Sequence, residues 1–147
     1  MSMVDVTKKP EVYREATATG SIRLKPETVR LIREGKIEKG DPFNVAKVAG
    51  ILAAKNTSSM IPLCHPLPLT NVEIGVKIVT ESEVAVETTV KTRAQTGVEM
   101  EALVATAVAL LTVWDMTKQY EKDASGQYPH TFIENIRVVH KVKGTSR

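Results

Sequence analysis

The stretch Val72-Glu73-Ile74-Gly75-Val76-Lys77-Ile78-Val79, then Thr80-Glu81-Ser82-Glu83, then Val84-Ala85-Val86-Glu87-Thr88-Thr89-Val90-Lys91-Thr92, decides the fold. Side chains alternate between the faces of a strand, so a period of two marks each run as a strand with one buried face. The four polar residues between the runs are a hairpin turn. Val72, Ile74, Val76 and Ile78 share a face, as do Val84, Val86, Thr88, Val90 and Thr92. A sheet with one apolar face needs a cover.

The cover follows directly. After Gln95-Thr96-Gly97, the spacing predicts a helix from about Val98 to Tyr120, apolar nearly all round between Ala102 and Leu111. A helix without a polar stripe has no solvent face. The sheet can take one side, and the expectation is that a second subunit takes the other. The uncharged run Ala102–Trp114 has 13 residues, too short for a bilayer and suited to a buried helix.

Upstream, Ala16, Ala18, Gly20, Ile22 and Leu24 alternate with Thr17, Thr19, Ser21 and Arg23, a half-buried strand over Arg14 to Leu24. Pro26 opens a short helix to about Glu34, stopped by Gly35. Lys39-Gly40 is a turn, and Asp41-Pro42 reads as an N-cap carboxylate followed by proline at the first helical position. Val45, Val48, Ala49 and Leu52 carry that helix to about Lys55. Asn56 to Pro68 holds Pro62, Pro66 and Pro68 and is expected to be a structured loop without regular helix. Ile133, Ile136, Val138 and Val139 suggest a last strand. The order is α+β, compatible with a ferredoxin-like split βαβ arrangement: an antiparallel sheet packed by a long apolar helix. One domain spans residues 1–147, with residues 1–12 expected to be loose and residues 141–147 a mobile basic tail.

Composition bounds the function. The chain has 147 residues, 42% hydrophobic and 25% charged, with 20 Lys+Arg against 17 Asp+Glu. A net charge of +3 and 4% aromatics do not favour a nucleic-acid surface. A single Cys excludes an internal disulfide, a multi-cysteine zinc site and an iron–sulfur cluster. No signal-like or membrane-spanning segment is read, so the expectation is a cytoplasmic protein with no membrane or nucleic-acid partner. No P-loop, GxGxxG or HExxH occurs, and no metal site is expected.

Candidate chemistry sits in three places. His65, beside Cys64 and between prolines, is presented rigidly, as a general acid/base or phosphate contact requires, although a lone His or Cys is more often structural. Glu99 and Glu101 open the long helix, where complementing the helix dipole is the plain account. Asp115 and Lys118 lie three apart on one helical face, an ordinary solvated pair; directly after the apolar block, Asp115 is expected to be partly desolvated, which raises a carboxyl pKa unless Lys118 offsets it. Arg14, Lys39, Lys55, Lys118, Lys141 and Lys143 stand at element ends and could converge on a polyphosphate.

Longer runs then resemble one family. Ala53-Ala54-Lys55-Asn56-Thr57, Ile61-Pro62-Leu63-Cys64-His65-Pro66-Leu67, Thr96-Gly97-Val98-Glu99-Met100-Glu101-Ala102-Leu103, Trp114-Asp115-Met116-Thr117-Lys118 and Val4-Asp5-Val6 are similar to blocks of the molybdenum cofactor biosynthesis protein C family. Together they reach from about Met3 to Lys143. The resemblance implies a lyase, a cyclic pyranopterin monophosphate synthase. It would convert 3′,8-cyclo-7,8-dihydro-GTP to cyclic pyranopterin monophosphate and diphosphate, in a hexamer built as a trimer of dimers with the site between subunits. It carries over Asp115, Lys118, Lys39, His65, Glu99 and Glu101 as catalytic residues. Leu63, Cys64, His65, Met100, Glu101, Arg14, Lys141 and Lys143 carry over as substrate contacts. No cofactor is implied, Mg²⁺ arriving at most on the substrate triphosphate. The family tail resembles Lys-Ser-Gly-Gly-Lys-Ser-Gly; here its second lysine falls on Thr145, with Lys143 and Arg147 as the neighbouring cations.

Two other classes compete on residues alone: a non-enzymatic α+β oligomer binding nucleotides or pterins, which would keep the cations and lose the acid/base set, and an RNA-binding module. The acids and His65 are all present, which favours the enzyme.

Overall fold

The computed structural model describes residues 1–144; Thr145 and Arg147, and with them part of the expected tail, lie outside the described residues. The elements in chain order are β1 (Val12–Arg23), α1 (Pro26–Arg33), α2 (Pro42–Lys55), α3 (Thr57–Met60), β2 (Leu69–Thr80), β3 (Glu83–Ala94), α4 (Glu99–Glu121) and β4 (Phe132–Gly144). The predicted hairpin is β2–β3, and on β3 the residues Val84, Val86, Thr88, Val90 and Thr92 are all buried, as the alternation requires.

The four strands form one antiparallel sheet in the order β2-β3-β1-β4. β1 lies between two partners, which gives it the buried Ala16, Ala18 and Ile22 and also buries Arg14 and Glu15 near its start. α4 crosses the sheet and divides the core. Val84, Val86, Leu110 and Val113 pack toward its C-terminal half, and Ala16, Ala18, Val90, Val98 and Ala102 toward its start.

By length and hydropathy α4 could cross a membrane, yet half of its apolar window is buried inside this chain, as a core helix is. Its second cover differs from the expectation: α2 of the same chain packs along it. Small residues make the contact close. Ala46, Gly50, Ala53 and Ala54 face inward, and a Cβ on Gly50 would stand 2.4 Å from Ile74 Cδ1 and 3.1 Å from the Ala105 carbonyl oxygen. The larger Val45, Val48 and Leu52, whose spacing marked the helix, therefore point outward, with Val48 60% exposed; Leu111 of α4 is also exposed.

Two further expectations are corrected. The proline-rich loop begins with a single helical turn, α3, because Thr57–Met60 precede the first proline; the Thr57 hydroxyl donates to the Ala53 and Ala54 carbonyls and ends α2. The tail is not free over Lys141–Gly144: these residues close β4, Lys141 opposite Ala16 and Lys143 opposite Arg14. β4 reaches this register through shifts opposite Thr17/Ala18 and Thr19/Ser21, with Asn135 at φ 60° in the second, where the small polar side chain tolerates the left-handed region. Nor are residues 1–12 without ties: Val12 begins β1, and the Gln95 amide donates to the Thr7 and Lys9 carbonyls.

Candidate active site

Two clusters of reactive side chains lie at opposite ends of α4. The first surrounds its N-terminus. The loop after α3 brings Leu63, Cys64 and His65 beside Gly97, Glu99 and Met100 around a cleft of about 380 Å³. The imidazole Nε2 of His65 stands 2.7 Å from the Val4 carbonyl oxygen. A carbonyl only accepts, so Nε2 carries the hydrogen and Nδ1 is left as the acceptor of the neutral ring. Rigid presentation of His65 thus rests on the N-terminal segment as well as on its prolines.

Glu99 folds back over Gly97. A Cβ there would lie 2.4 Å and 2.6 Å from the two carboxylate oxygens, so glycine supplies room for the charge. The carboxylate pairs with Lys141 Nζ at 3.2 Å across from β4. Arg14 and Lys143 face each other in the β1–β4 ladder, and paired residues share a face of the sheet. The buried Arg14 guanidinium donates to the Gln95 carbonyl at 3.2 Å, while its Nε has no partner. Three cations thus gather beside the start of α4.

Glu101 is 3% exposed, and its Oε1 has no hydrogen-bond partner. Burial pushes its carboxyl pKa up, its own backbone N–H offsets part of this, and the nearby Glu99 charge adds to the rise. The Cys64 thiol donates weakly to Glu101 Oε2 at 3.9 Å. Burial, then the Glu101 charge, raises the thiol pKa, so Cys64 is disfavoured as a thiolate nucleophile.

The second cluster lies near the other end. Asp115 Oδ1 accepts from Lys118 Nζ at 2.9 Å, and Oδ2 from Lys39 Nζ at 3.2 Å; Lys39 also reaches the Asp115 carbonyl at 3.1 Å. The expectation of desolvation at Asp115 is corrected. The side chain is 58% exposed, and the ammonium of Lys118, then that of Lys39, holds its carboxyl below the ordinary value. Reciprocally, Asp115 raises the Lys118 pKa. Pro26 and Pro42 start the flanking helices, and the Lys39-Gly40 turn between them carries Lys39 to α4.

The chain therefore joins Lys39, Asp115 and Lys118 in one group, and His65, Glu99, Glu101, Cys64, Met100, Leu63, Arg14, Lys141 and Lys143 around another. Lys55, in the last turn of α2, enters no ion pair among the described residues. Because α4 is continuous, Glu101 and Asp115 are roughly 21 Å apart along its axis. The sequence reading did not find the contacts that Gln119 and Tyr120 make with Glu38, nor the part of Val4; a helix-end glutamine and tyrosine give no signal of a partner 81 or 82 positions away. Among the described residues, no three His, Cys, Asp or Glu side chains gather as a metal site.

This is an α+β protein with two clusters of carboxylates and amines, one of them with an imidazole, groups of the kind that transfer protons and attract anions. The model of the MoaC family matches residues 3–144, and the chain belongs to that family. It is 55% identical over 141 residues to a probable cyclic pyranopterin monophosphate synthase of Saccharolobus solfataricus, covering 96% of this chain and 94% of the relative. It is 57% identical over 145 residues to a protein of the same name from Pyrococcus furiosus, covering 97% and 91%.

Proposed function

We propose that this chain is a lyase, a cyclic pyranopterin monophosphate synthase, converting 3′,8-cyclo-7,8-dihydro-GTP to cyclic pyranopterin monophosphate with release of diphosphate in molybdenum cofactor biosynthesis. Near-complete coverage of relatives so named supports the activity. The observation that carries the chemistry is Asp115 held between two ammonium groups, a coupled set whose ammonium groups can give a proton and take it back.

The reaction opens the imidazole ring of the purine, builds a pyrazine ring and closes a cyclic phosphate. A sugar-derived hydroxyl attacks the α-phosphorus, the bond to the β-phosphate oxygen breaks, and the hydroxyl proton passes to a base. No net redox change occurs, so the reading needs no resident cofactor, Mg²⁺ arriving on the triphosphate. Lys39, Asp115 and Lys118 serve as the acid/base group. His65 and Glu101 shuttle protons at the ring, with Glu99 orienting Lys141. Arg14, Lys141 and Lys143 hold phosphate oxygens, where cations stabilise the departing diphosphate; Leu63, Cys64 and Met100 line the substrate.

One substrate cannot touch both ends of α4 within one protomer. The reading therefore places the Asp115 group of one protomer against the Glu101 group of another, in a hexamer arranged as a trimer of dimers. The outward Val45, Val48 and Leu52 support such pairing, since their spacing sets them side by side on one face of α2 and a contiguous exposed apolar patch marks an interaction surface. We read the strand order β2-β3-β1-β4 as the ferredoxin-like arrangement, residues 1–147 as one domain, and the protein as cytoplasmic, without nucleic-acid or membrane partners.

Incubation of the purified protein with the cyclised substrate should release diphosphate, and Asp115→Asn should lower turnover by about 10²–10⁴-fold. Mixed oligomers of Lys39→Ala and Glu101→Gln chains should regain activity absent from either alone. A fully active monomer by native mass, or an Asp115→Asn protein with unchanged turnover, overturns the reading.

A further inference from the structure

Lys39 reaches Asp115 from the turn joining α1 to α2, and Ile37 is the only buried residue of that turn. Gly35 at φ 69° and Gly40 at φ 119° flank it, positions where glycine lets the chain reverse. A lysine is a long flexible side chain, and a single exposed ion pair does little to fix it.

Two residues of α4 tie the turn down one helical turn beyond Asp115. The Glu38 backbone N–H donates to the Tyr120 hydroxyl at 2.8 Å, and the Gln119 amide donates to Glu38 Oε2 at 2.9 Å. Both bonds land on the residue adjacent to Lys39. With the bond from Lys39 Nζ to the Asp115 carbonyl, they hold the turn along α4 from Asp115 to Tyr120.

We infer that Tyr120 and Gln119 are positioning residues: they dock the turn at Glu38 so that the Lys39 ammonium rests on Asp115. This rests on the reading above only for its effect on turnover; the docking itself is a property of the geometry. Both side chains act through Lys39 and touch none of the reacting groups.

The test follows the Asp115 carboxyl by carbon-detected NMR titration in the intact protein. Lys39 is one of the two amines that hold this carboxyl low, so its departure must let the value rise. Tyr120→Phe removes only the hydroxyl, and Gln119→Ala removes an exposed side chain. Loss of one such hydrogen bond should reduce docking about three- to tenfold. The expected result is that Tyr120→Phe, and more so Tyr120→Phe with Gln119→Ala, shifts the Asp115 titration upward toward that of Lys39→Ala. In the Lys39→Ala background neither substitution should move it further. An unmoved Asp115 titration in the folded double variant overturns the inference, as does an equal shift in the Lys39→Ala background. If the titration moves while diphosphate release keeps its rate, the docking stands and the catalytic role of Lys39 fails.

Discussion

Replacing Glu101 by Gln should make the protein more stable and less active. Glu101 is 3% exposed and leaves Oε1 without a partner, and an unsatisfied buried polar group costs about 1–3 kcal/mol, more when charged. In the variant the amide oxygen keeps the contact with the Cys64 thiol. The amide nitrogen takes the place of Oε1, still unpaired but neutral. The gain is then the charged part of the penalty, about 1–2 kcal/mol at neutral pH. For 147 residues the unfolding entropy is about 0.3 kcal/mol per kelvin, so Tm should rise by about 3–6 °C. The sign with pH is fixed. The folded carboxyl pKa lies above its unfolded value, so the native state favours the protonated form. The associated stability is complete below the unfolded pKa and is lost as pH rises through the folded one. Urea unfolding of both proteins across this range should show curves that converge in acid and separate toward neutrality, with the variant above. A variant less stable than the parent near neutral pH, or one with the same pH slope, would refute the reasoning.

Three other outcomes follow. Glu121 is fully buried and accepts from the Lys25 N–H and the Thr28 and Thr131 hydroxyls, serving as the N-cap that α1 lacks in its own sequence; Glu121→Ala should cost about 3–5 kcal/mol and lower Tm by about 10–16 °C in a thermal melt. Asp41 accepts from the Phe43 and Asn44 N–H groups; Asp41→Ala should cost about 1 kcal/mol, a fall of about 3 °C by calorimetry. Cys64 should react with iodoacetamide more slowly than free cysteine at equal pH, because burial and the Glu101 charge raise its pKa, and Glu101→Gln should speed the alkylation.

Local signals in the chain determined much of this protein. Period-two alternation from Val72 to Thr92 wrote the hairpin, and Asp41-Pro42 wrote the start of α2. The uncharged, largely apolar run Ala102–Trp114 wrote α4, and the Pro-Leu-Cys-His-Pro and Thr-Gly-Val-Glu-Met-Glu blocks marked residues that line the cleft. These depend on neighbours within a few positions, which is where backbone preference and side-chain spacing act. Only the tertiary structure decided what covers what. The spacing of Val45, Val48, Ala49 and Leu52 marked α2 as a helix but not its buried face, and the close helix contact selected Ala46, Gly50 and Ala53. Asp115 follows an apolar block, yet it faces solvent between two lysines. The basic tail looked free, yet strand pairing set Lys143 opposite Arg14. The docking of Glu38 on Tyr120 spans 82 positions. Such partners are fixed by the path of the chain through space, and a sequence pattern carries that path only where packing leaves a single way to bury its apolar face.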